Sequence, residues 1–292
     1  VRRLNSPRLP LVDLAVSPRL VAMLKREFAA GNYDAIHAHI RVISPVGYGA
    51  VLAAHALGMP TVVTFAGVLL RSAQFLRMAD RLSGWSRWPV AVTAVSGLIA
   101  EQLRAALSGL KVTVLPNGVD LAFWRGAAVP PRPPGADIVI ATAMRLTRKK
   151  RPVALLRAFA QAHAAAVAQG RGLTLRIAGD GPLRRPLERR VAARGLGRAV
   201  TFLGAVSRPT LRETYRAADI FALPSIHESF GIAALEARCA GLPVVGMRRA
   251  GITEFLRHGD TALLAADDGE FARFLERLAL DDALRRRLAE AD

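Results

Sequence analysis

The sequence predicts an α/β fold in which helices cover parallel β-sheets in two domains. Short apolar or β-branched runs alternate with longer helix-like stretches along most of the chain, which is the pattern of doubly wound parallel sheets. Hydrophobic residues form 52% of the chain and aromatic residues only 6%, so the core must consist mainly of Ala, Val, Leu and Ile. The length of 292 residues is sufficient for two ordinary domains.

The first half contains a helix, then four predicted strands with helices between them. The helix over 18–30 ends at Gly31 and Asn32, and Ser96 is a suitable N-cap for the helix that runs to residue 107. The remaining elements are strands at 33–39, 61–65, 90–95 and 112–115, and helices at 47–57 and 74–82. We therefore predict a first domain over residues 1–126.

A proline-rich segment over 127–135, with the sequence AAVPPRPPG, has no hydrophobic periodicity and is typical of a stiff linker. After it the alternation of strands and helices resumes, which predicts a second domain over residues 136–292. Its predicted strands lie at 137–143, 173–178, 200–204, 219–223, 244–245 and 262–264; its helices lie at 151–168, 183–193, 209–217, 230–239, 252–256 and from 268 onwards.

Residues 224–245, with the sequence PSIHESFGIAALEARCAGLPVV, join a predicted strand to a helix and carry the strongest chemical signal. Glu228 lies in the loop, and Gly231 and Ile232 open the helix, where free N–H groups and the helix dipole favour an anion such as phosphate. Glu236 lies further along the helix, where a carboxylate can accept hydrogen bonds from sugar hydroxyls. A nucleotide sugar, which is both anionic and rich in hydroxyls, fits this combination.

The spacing of Glu228 and Glu236 within this segment resembles the Glu-x7-Glu motif of the retaining glycosyltransferases of family 4, which have the GT-B fold. Segments similar to those of the family's first domain occur in the family's order: YDAIHAH, PTVVTF, VTAVS and VLPNGVD. The resemblance covers residues 34–280 and implies two Rossmann-like domains that face a cleft. It implies sugar transfer from a nucleotide diphosphate sugar with retention of configuration.

The resemblance also implies roles for individual residues. In the family an arginine and a lysine after the first strand of the second domain contact the donor phosphates, and Arg145 and Lys150 match these positions, with Lys149 an alternative for the lysine. Glu228, Arg145 and Lys150 are thus the expected catalytic residues. The expected donor-binding residues are Glu236, Phe230, Gly231 and Ile232, and the residues expected to line the cleft are His39, Ala66 and Asn117.

The sequence departs from the family in two respects. Many relatives carry a histidine near the reacting sugar at the position of Ala66. No strand with a glycine-rich loop precedes Val12, and the family's usual final helix is absent, so we expect a chain that is incomplete at both ends. The alternatives are therefore a truncated or weakly active nucleotide-sugar-binding relative, or another GT-B enzyme such as a nucleotide-sugar epimerase.

Charge and composition restrict the partners. The net charge of +18 is compatible with phosphorylated ligands, an anionic membrane surface or nucleic acid, but no nucleic-acid-binding motif is present, so we expect no nucleic-acid partner. His37 and His39 lack a third ligand, so we expect no metal site, and we expect no cofactor. The single cysteine, Cys239, favours a reducing compartment such as the cytoplasm, with peripheral contact at the inner membrane face left open. The acceptor stays open between a glycan, a lipid-linked molecule and a small molecule.

Overall fold

The computed structural model describes residues 8–9, 14–15, 19–41, 44–69, 73–125 and 136–291. The chain divides into two compact units, Val1–Asn117 and Gly118–Asp292. Each unit contains a parallel sheet whose strands are joined by helices, which confirms the predicted α/β class.

The first unit contains a four-stranded parallel sheet in the order β3-β4-β5-β6 and a separate antiparallel pair, β1-β2. The strands are β1 (Arg8–Leu9), β2 (Leu14–Ala15), β3 (Ile36–Ile40), β4 (Thr61–Phe65), β5 (Val90–Ala94) and β6 (Val112–Val114). The helices are α1 (Leu20–Ala30), α2 (Pro45–Ala56), α3 (Ala73–Ser83) and α4 (Gly97–Ala106). The Ser96 hydroxyl accepts a hydrogen bond from the Ile99 N–H at 3.4 Å, as expected of an N-cap.

The second unit contains a six-stranded parallel sheet in the order β12-β11-β10-β7-β8-β9. Its strands are β7 (Ile138–Ala143), β8 (Leu173–Ala178), β9 (Val200–Gly204), β10 (Ile220–Leu223), β11 (Val244–Met247) and β12 (Ala262–Ala265). Its helices are α5 (Leu121–Arg125), α6 (Pro152–Ala168), α7 (Arg184–Ala193), α8 (Arg208–Arg216), α9 (Ile232–Cys239), α10 (Asp268–Leu280) and α11 (Asp282–Glu290). Short 3-10 turns occupy Arg148–Lys150 and Gly251–Glu254.

The strand order of the second sheet reverses between β7 and β10. The chain proceeds from β7 to β8 and β9 at one edge, then returns to β10 on the other side of β7. Such a reversal forms a crevice at the carboxyl ends of the two adjacent strands, where ligands bind in open α/β sheets. Doubly wound order is therefore present in this unit, whereas the described strands of the first sheet follow chain order.

The division between the units differs from the predicted end of the first domain at residue 126. It lies before α5, because Trp124 of this helix is fully buried against residues of the second unit, including Tyr215 at a ring distance of 5.5 Å. The predicted linker over 127–135 lies outside the described residues.

Candidate functional site

The loops that follow β7 and β10 meet at the point of strand reversal. Lys150, in the loop after β7, places its Nζ 2.5 Å from Oε2 of Glu228, in the loop after β10. The Glu228 side chain is 12% exposed and that of Lys150 is 28% exposed. A largely buried carboxylate is thus neutralised by a lysine that water still reaches, at the edge of the sheet where a ligand is expected.

Two glycines after β8 allow the loop after β7 to pack closely. A Cβ on Gly179 would lie 1.9 Å from the Met144 carbonyl oxygen, and one on Gly181 would lie 2.6 Å from that of Leu146. The Leu146 N–H donates to the Asp180 carbonyl at 2.9 Å. The glycines therefore permit the backbone contact that fixes the start of the basic loop.

The loop that carries Glu228 is fixed by its own glycines. The Gly251 N–H donates to the Glu228 carbonyl at 2.8 Å. Gly231 has φ +91° directly before α9, and a Cβ there would lie 2.3 Å from Cγ2 of Ile252. Within the helical run predicted over 230–239, α9 begins at Ile232 with Gly231 as its N-cap, in agreement with the prediction that these two residues open the helix.

The other residues expected to bind the donor differ in environment. Phe230 is buried, with its ring 5.3 Å from that of Phe255, whereas the Ile232 side chain is exposed at the first turn of α9. Arg145 is exposed, and its side chain has no hydrogen-bond or ion-pair partner among the described residues. The structure therefore brings Lys150 and Glu228 into contact and leaves the Arg145 side chain in solvent.

Glu236 lies on α9 in a half-buried environment. Burial raises the pKa of its carboxyl group, and the positive charge of Arg208 partly opposes this effect. Arg208, the first residue of α8, lies 5.0 Å from the Phe123 ring and 5.7 Å from the Trp124 ring. Sequence reasoning missed Arg208, because its proximity to Glu236 depends on packing between α5, α8 and α9.

Arg151 joins three loops at the same edge of the sheet. Its guanidinium donates to the Pro224 carbonyl at 3.1 Å and to the two carboxylate oxygens of Asp268 at 2.5 and 2.6 Å. The Ser225 hydroxyl makes a long contact of 3.4 Å with the Lys150 carbonyl. Neither Arg151 nor Asp268 was singled out from the sequence, since they are separated by more than a hundred residues.

The three residues expected to line a cleft belong to the first unit. His39 is exposed on β3, and its ring lies 4.2 Å from that of His37. Partial loss of hydration and the neighbouring His39 lower the pKa of His37, and its Nε2 lies 2.7 Å from the Thr64 hydroxyl. Ala66 donates its N–H to the Ile40 carbonyl at 2.9 Å, and Asn117 is half-buried at the end of this unit.

The described residues contain neither a metal-binding cluster nor a membrane-spanning helix. No group of three or more His, Cys, Asp or Glu side chains there is arranged to hold a metal ion. None of the helices in the described part of the chain has both the length and the apolar composition needed to cross a membrane.

Two family models match the chain. Residues 129–292 match the model of glycosyl transferases group 1, and residues 1–123 match that of glycosyltransferase family 4. A protein of Actinosynnema mirum named D-inositol 3-phosphate glycosyltransferase is 35% identical over 89% of this chain and 67% of its own length. One of the same name from Salinispora arenicola is 32% identical over 90% of this chain and 64% of its own length. The chain thus spans about two thirds of the length of these curated relatives.

Solved structures with the same fold include glycosyltransferases. The structure of Anabaena Alr3699/HepE in complex with UDP and glucose has a TM-score of 0.75 and 22% identity, covering 93% of this chain and 74% of that protein. The structure of WaaG, a glycosyltransferase involved in lipopolysaccharide biosynthesis, has a TM-score of 0.65 and 16% identity, covering 98% of this chain and 92% of that protein. These likenesses confirm the predicted GT-B fold.

Proposed function

Because the chain belongs to the group 1 glycosyl transferases, we propose that it transfers a sugar from a nucleotide diphosphate sugar to an acceptor with retention of configuration. The observation that carries the proposal is the ion pair of Lys150 and Glu228 at the strand reversal of the second sheet. A cation for the diphosphate and a carboxylate for sugar hydroxyls lie side by side, as a nucleotide sugar requires.

In the proposed reaction the protein acts mainly through electrostatics. The bond between the anomeric carbon and the diphosphate breaks, and a bond from that carbon to an acceptor oxygen forms. Lys150, Arg145 and the start of α9 stabilise the charge on the departing diphosphate. Glu228 holds the hydroxyls of the transferred sugar, and the departing phosphate takes the proton of the acceptor.

Binding of a nucleoside diphosphate is the direct test of this proposal. Thermal melting of the chain with UDP, GDP or ADP, and with their sugars, should give a higher melting temperature for at least one nucleotide, because a ligand of the folded state stabilises it. UDP is the first choice, since it is present in the related Anabaena structure. The matching nucleosides serve as controls for the diphosphate, and no shift with any nucleotide would contradict the proposal.

Glu236 is proposed to bind the ribose of the donor. Glu236→Ala should weaken nucleotide binding by about 1.5–3 kcal/mol, the range for hydrogen bonds to a charged group. Calorimetric titration of the folded variant measures this loss. An unchanged affinity would exclude the ribose role.

The acceptor is open, and the relatives indicate where to begin. Two of them are named for D-inositol 3-phosphate, so this molecule is the first acceptor to test, with release of UDP from UDP-glucose as the readout. Many members of glycosyltransferase family 4 carry a histidine where this chain has Ala66. This difference favours a second candidate function, a protein that binds the donor but transfers the sugar slowly. Donor binding without UDP release beyond hydrolysis, over a panel of acceptors, would favour that candidate.

We further propose peripheral contact with an anionic membrane through α3. Phe75, Met78 and Leu82 expose their apolar side chains along one stripe of this helix, and Arg77 and Arg81 are exposed beside it. An apolar stripe next to cations is typical of helices that lie in a membrane interface.

Sedimentation with vesicles of phosphatidylglycerol and phosphatidylcholine tests this contact. Replacing Phe75 and Leu82 with serine should reduce sedimentation with the vesicles. Val167→Ser is the matched control, because this exposed apolar side chain lies on α6 of the second unit. Equal sedimentation of all three proteins would contradict a role for α3.

A further inference from the structure

Arg151 has a backbone conformation that is unfavourable for residues with a Cβ atom. Its φ is +57° and its ψ is +42°, in the left-handed region. Asn32 is the other non-glycine residue with positive φ in the described part of the chain. A residue in this strained conformation beside the loop of Lys150 is a candidate for a functional role of its side chain.

The Arg151 side chain connects the carboxyl ends of three strands. Arg151 itself follows β7, Pro224 follows β10 directly, and Asp268 follows β12. Nη1 of the guanidinium donates to the Pro224 carbonyl, and Nη2 alone donates to both carboxylate oxygens of Asp268. Because two nitrogens of one planar guanidinium are bonded to two different segments, these contacts hold the segments in one mutual arrangement.

This arrangement includes both members of the ion pair at the strand reversal. Lys150 directly precedes Arg151, and Glu228 follows Pro224 by four residues. The guanidinium of Arg151 is itself engaged by Pro224 and Asp268. Its effect on a ligand therefore passes through the positions of Lys150 and Glu228.

We propose that Arg151 and Asp268 are positioning residues that set the geometry of Lys150 and Glu228 for the donor diphosphate. The proposal rests on the proposed function. The rival explanation is that Arg151 binds the diphosphate directly through its charge. The two explanations predict opposite effects of removing the Asp268 charge. If Asp268 positions the loops, its removal weakens UDP binding. If Asp268 only competes with UDP for Arg151, its removal strengthens UDP binding.

Calorimetric titration of the full chain with UDP and with uridine separates these explanations. Arg151→Gly and Asp268→Asn should each weaken UDP binding by about tenfold, the loss expected for one hydrogen bond to a charged group, and change uridine binding much less. Arg151→Lys should behave like Arg151→Gly, because a single ammonium nitrogen cannot replace Nη1 at the Pro224 carbonyl and Nη2 at Asp268 together. Tighter UDP binding by Asp268→Asn, or wild-type affinity of Arg151→Lys, would overturn the positioning role.

Two control variants match these changes. Asn32→Gly makes the same backbone replacement at a left-handed position in the first unit. Asp260→Asn removes another exposed aspartate that pairs with an arginine, Arg257 at 2.9 Å, but lies before β12 and not after it. Both controls should leave UDP binding unchanged, and an equal loss in Asp260→Asn would mean that the loss is not specific to the position of Asp268.

Hydrogen exchange of the ligand-free protein provides a readout that does not depend on the proposed function. In Arg151→Gly and Asp268→Asn, amides of the segment 225–231 and of Gly251 should exchange faster than in the wild type, while exchange in the first unit stays the same. Unchanged exchange would overturn the positioning role even if no nucleotide bound. Failure of the wild type to bind UDP, GDP or ADP would instead contradict the proposed function. Glycine tolerates the left-handed conformation, so Arg151→Gly should fold.

Discussion

The two parallel sheets differ in strand order and in how their strands are buried. In the first sheet the four strands follow chain order, and β3 alternates between buried residues and the exposed His37 and His39. In the second sheet the order reverses between β7 and β10, and every residue of β10, β11 and β12 is buried. The loops after β7 and β10 lead into different helices, so the reversal leaves a crevice at the carboxyl ends of these two strands.

The comparison shows that the burial of the strands decides where polar functional residues can lie. Strands covered on both faces contain continuous apolar residues and leave polar chemistry to the loops at their ends. In the second unit those loops contribute Lys150 and Glu228. In the described part of the first unit, polar side chains such as His39 lie on the strand itself.

The largest expected effect is on stability. Phe221→Ala in β10 should cost about 3–5 kcal/mol, because Phe221 is fully buried and its removal leaves a cavity. His39→Ala on the exposed face of β3 should change stability by less than about 0.5 kcal/mol. Urea unfolding of both variants measures the two changes in the free energy of unfolding. Similar changes would contradict the difference in burial between these two strands.

The next effect concerns the start of α9. Gly231→Ala should cost about 2–4 kcal/mol, from its positive φ together with the close approach of Ile252. Gly241→Ala is the matched control, since Gly241 has φ +85° but no atom within 4 Å of an added Cβ, and should cost about 1–2 kcal/mol. Equal losses would mean that contact with Ile252 does not constrain the loop.

A binding experiment tests whether the loops of the second sheet hold a diphosphate. Lys150→Ala should weaken binding of a nucleoside diphosphate by about 1.5–3 kcal/mol and affect the nucleoside less, since only the diphosphate offers compensating charge. Arg145→Ala should have the same selectivity with a smaller loss, because its exposed charge is screened by water. Arg157→Ala, at an exposed position on α6, is the control. Equal losses for both ligands would exclude a diphosphate role.

The smallest effect is a dependence of stability on pH. Burial raises the pKa of Glu236, so the folded protein favours the protonated carboxyl, and stability falls as pH rises from the ordinary value of 4.5 through the folded pKa. Glu236→Gln should therefore raise the melting temperature at pH 7 and lose this advantage near pH 4. Calorimetric scans at the two pH values measure the difference. A gain that is the same at both would contradict a buried charge as the cause.

Much of the fold could be predicted, because helices and strands depend on local patterns. Thr61–Phe65, Leu173–Ala178 and Val200–Gly204 are strands at the predicted limits. The helical run predicted over 230–239 becomes helical only from Ile232, next to the predicted opening residue Gly231. The conformation of Gly231 and its contact with Ile252, beyond the next strand, decide this exact start. The end of the first unit also differs, because the burial of Trp124 is a long-range contact.

The sequence alone determined the α/β class, two domains and the motif around Glu228, because strand and helix periodicity and a short motif are local properties. Only the tertiary structure decided which side chains meet. It paired Lys150 with Glu228, tied Arg151 to Pro224 and Asp268, and put Arg208 within electrostatic reach of Glu236. The physical reason is the strand order: the reversal between β7 and β10 brings together loops that are more than seventy residues apart in the chain.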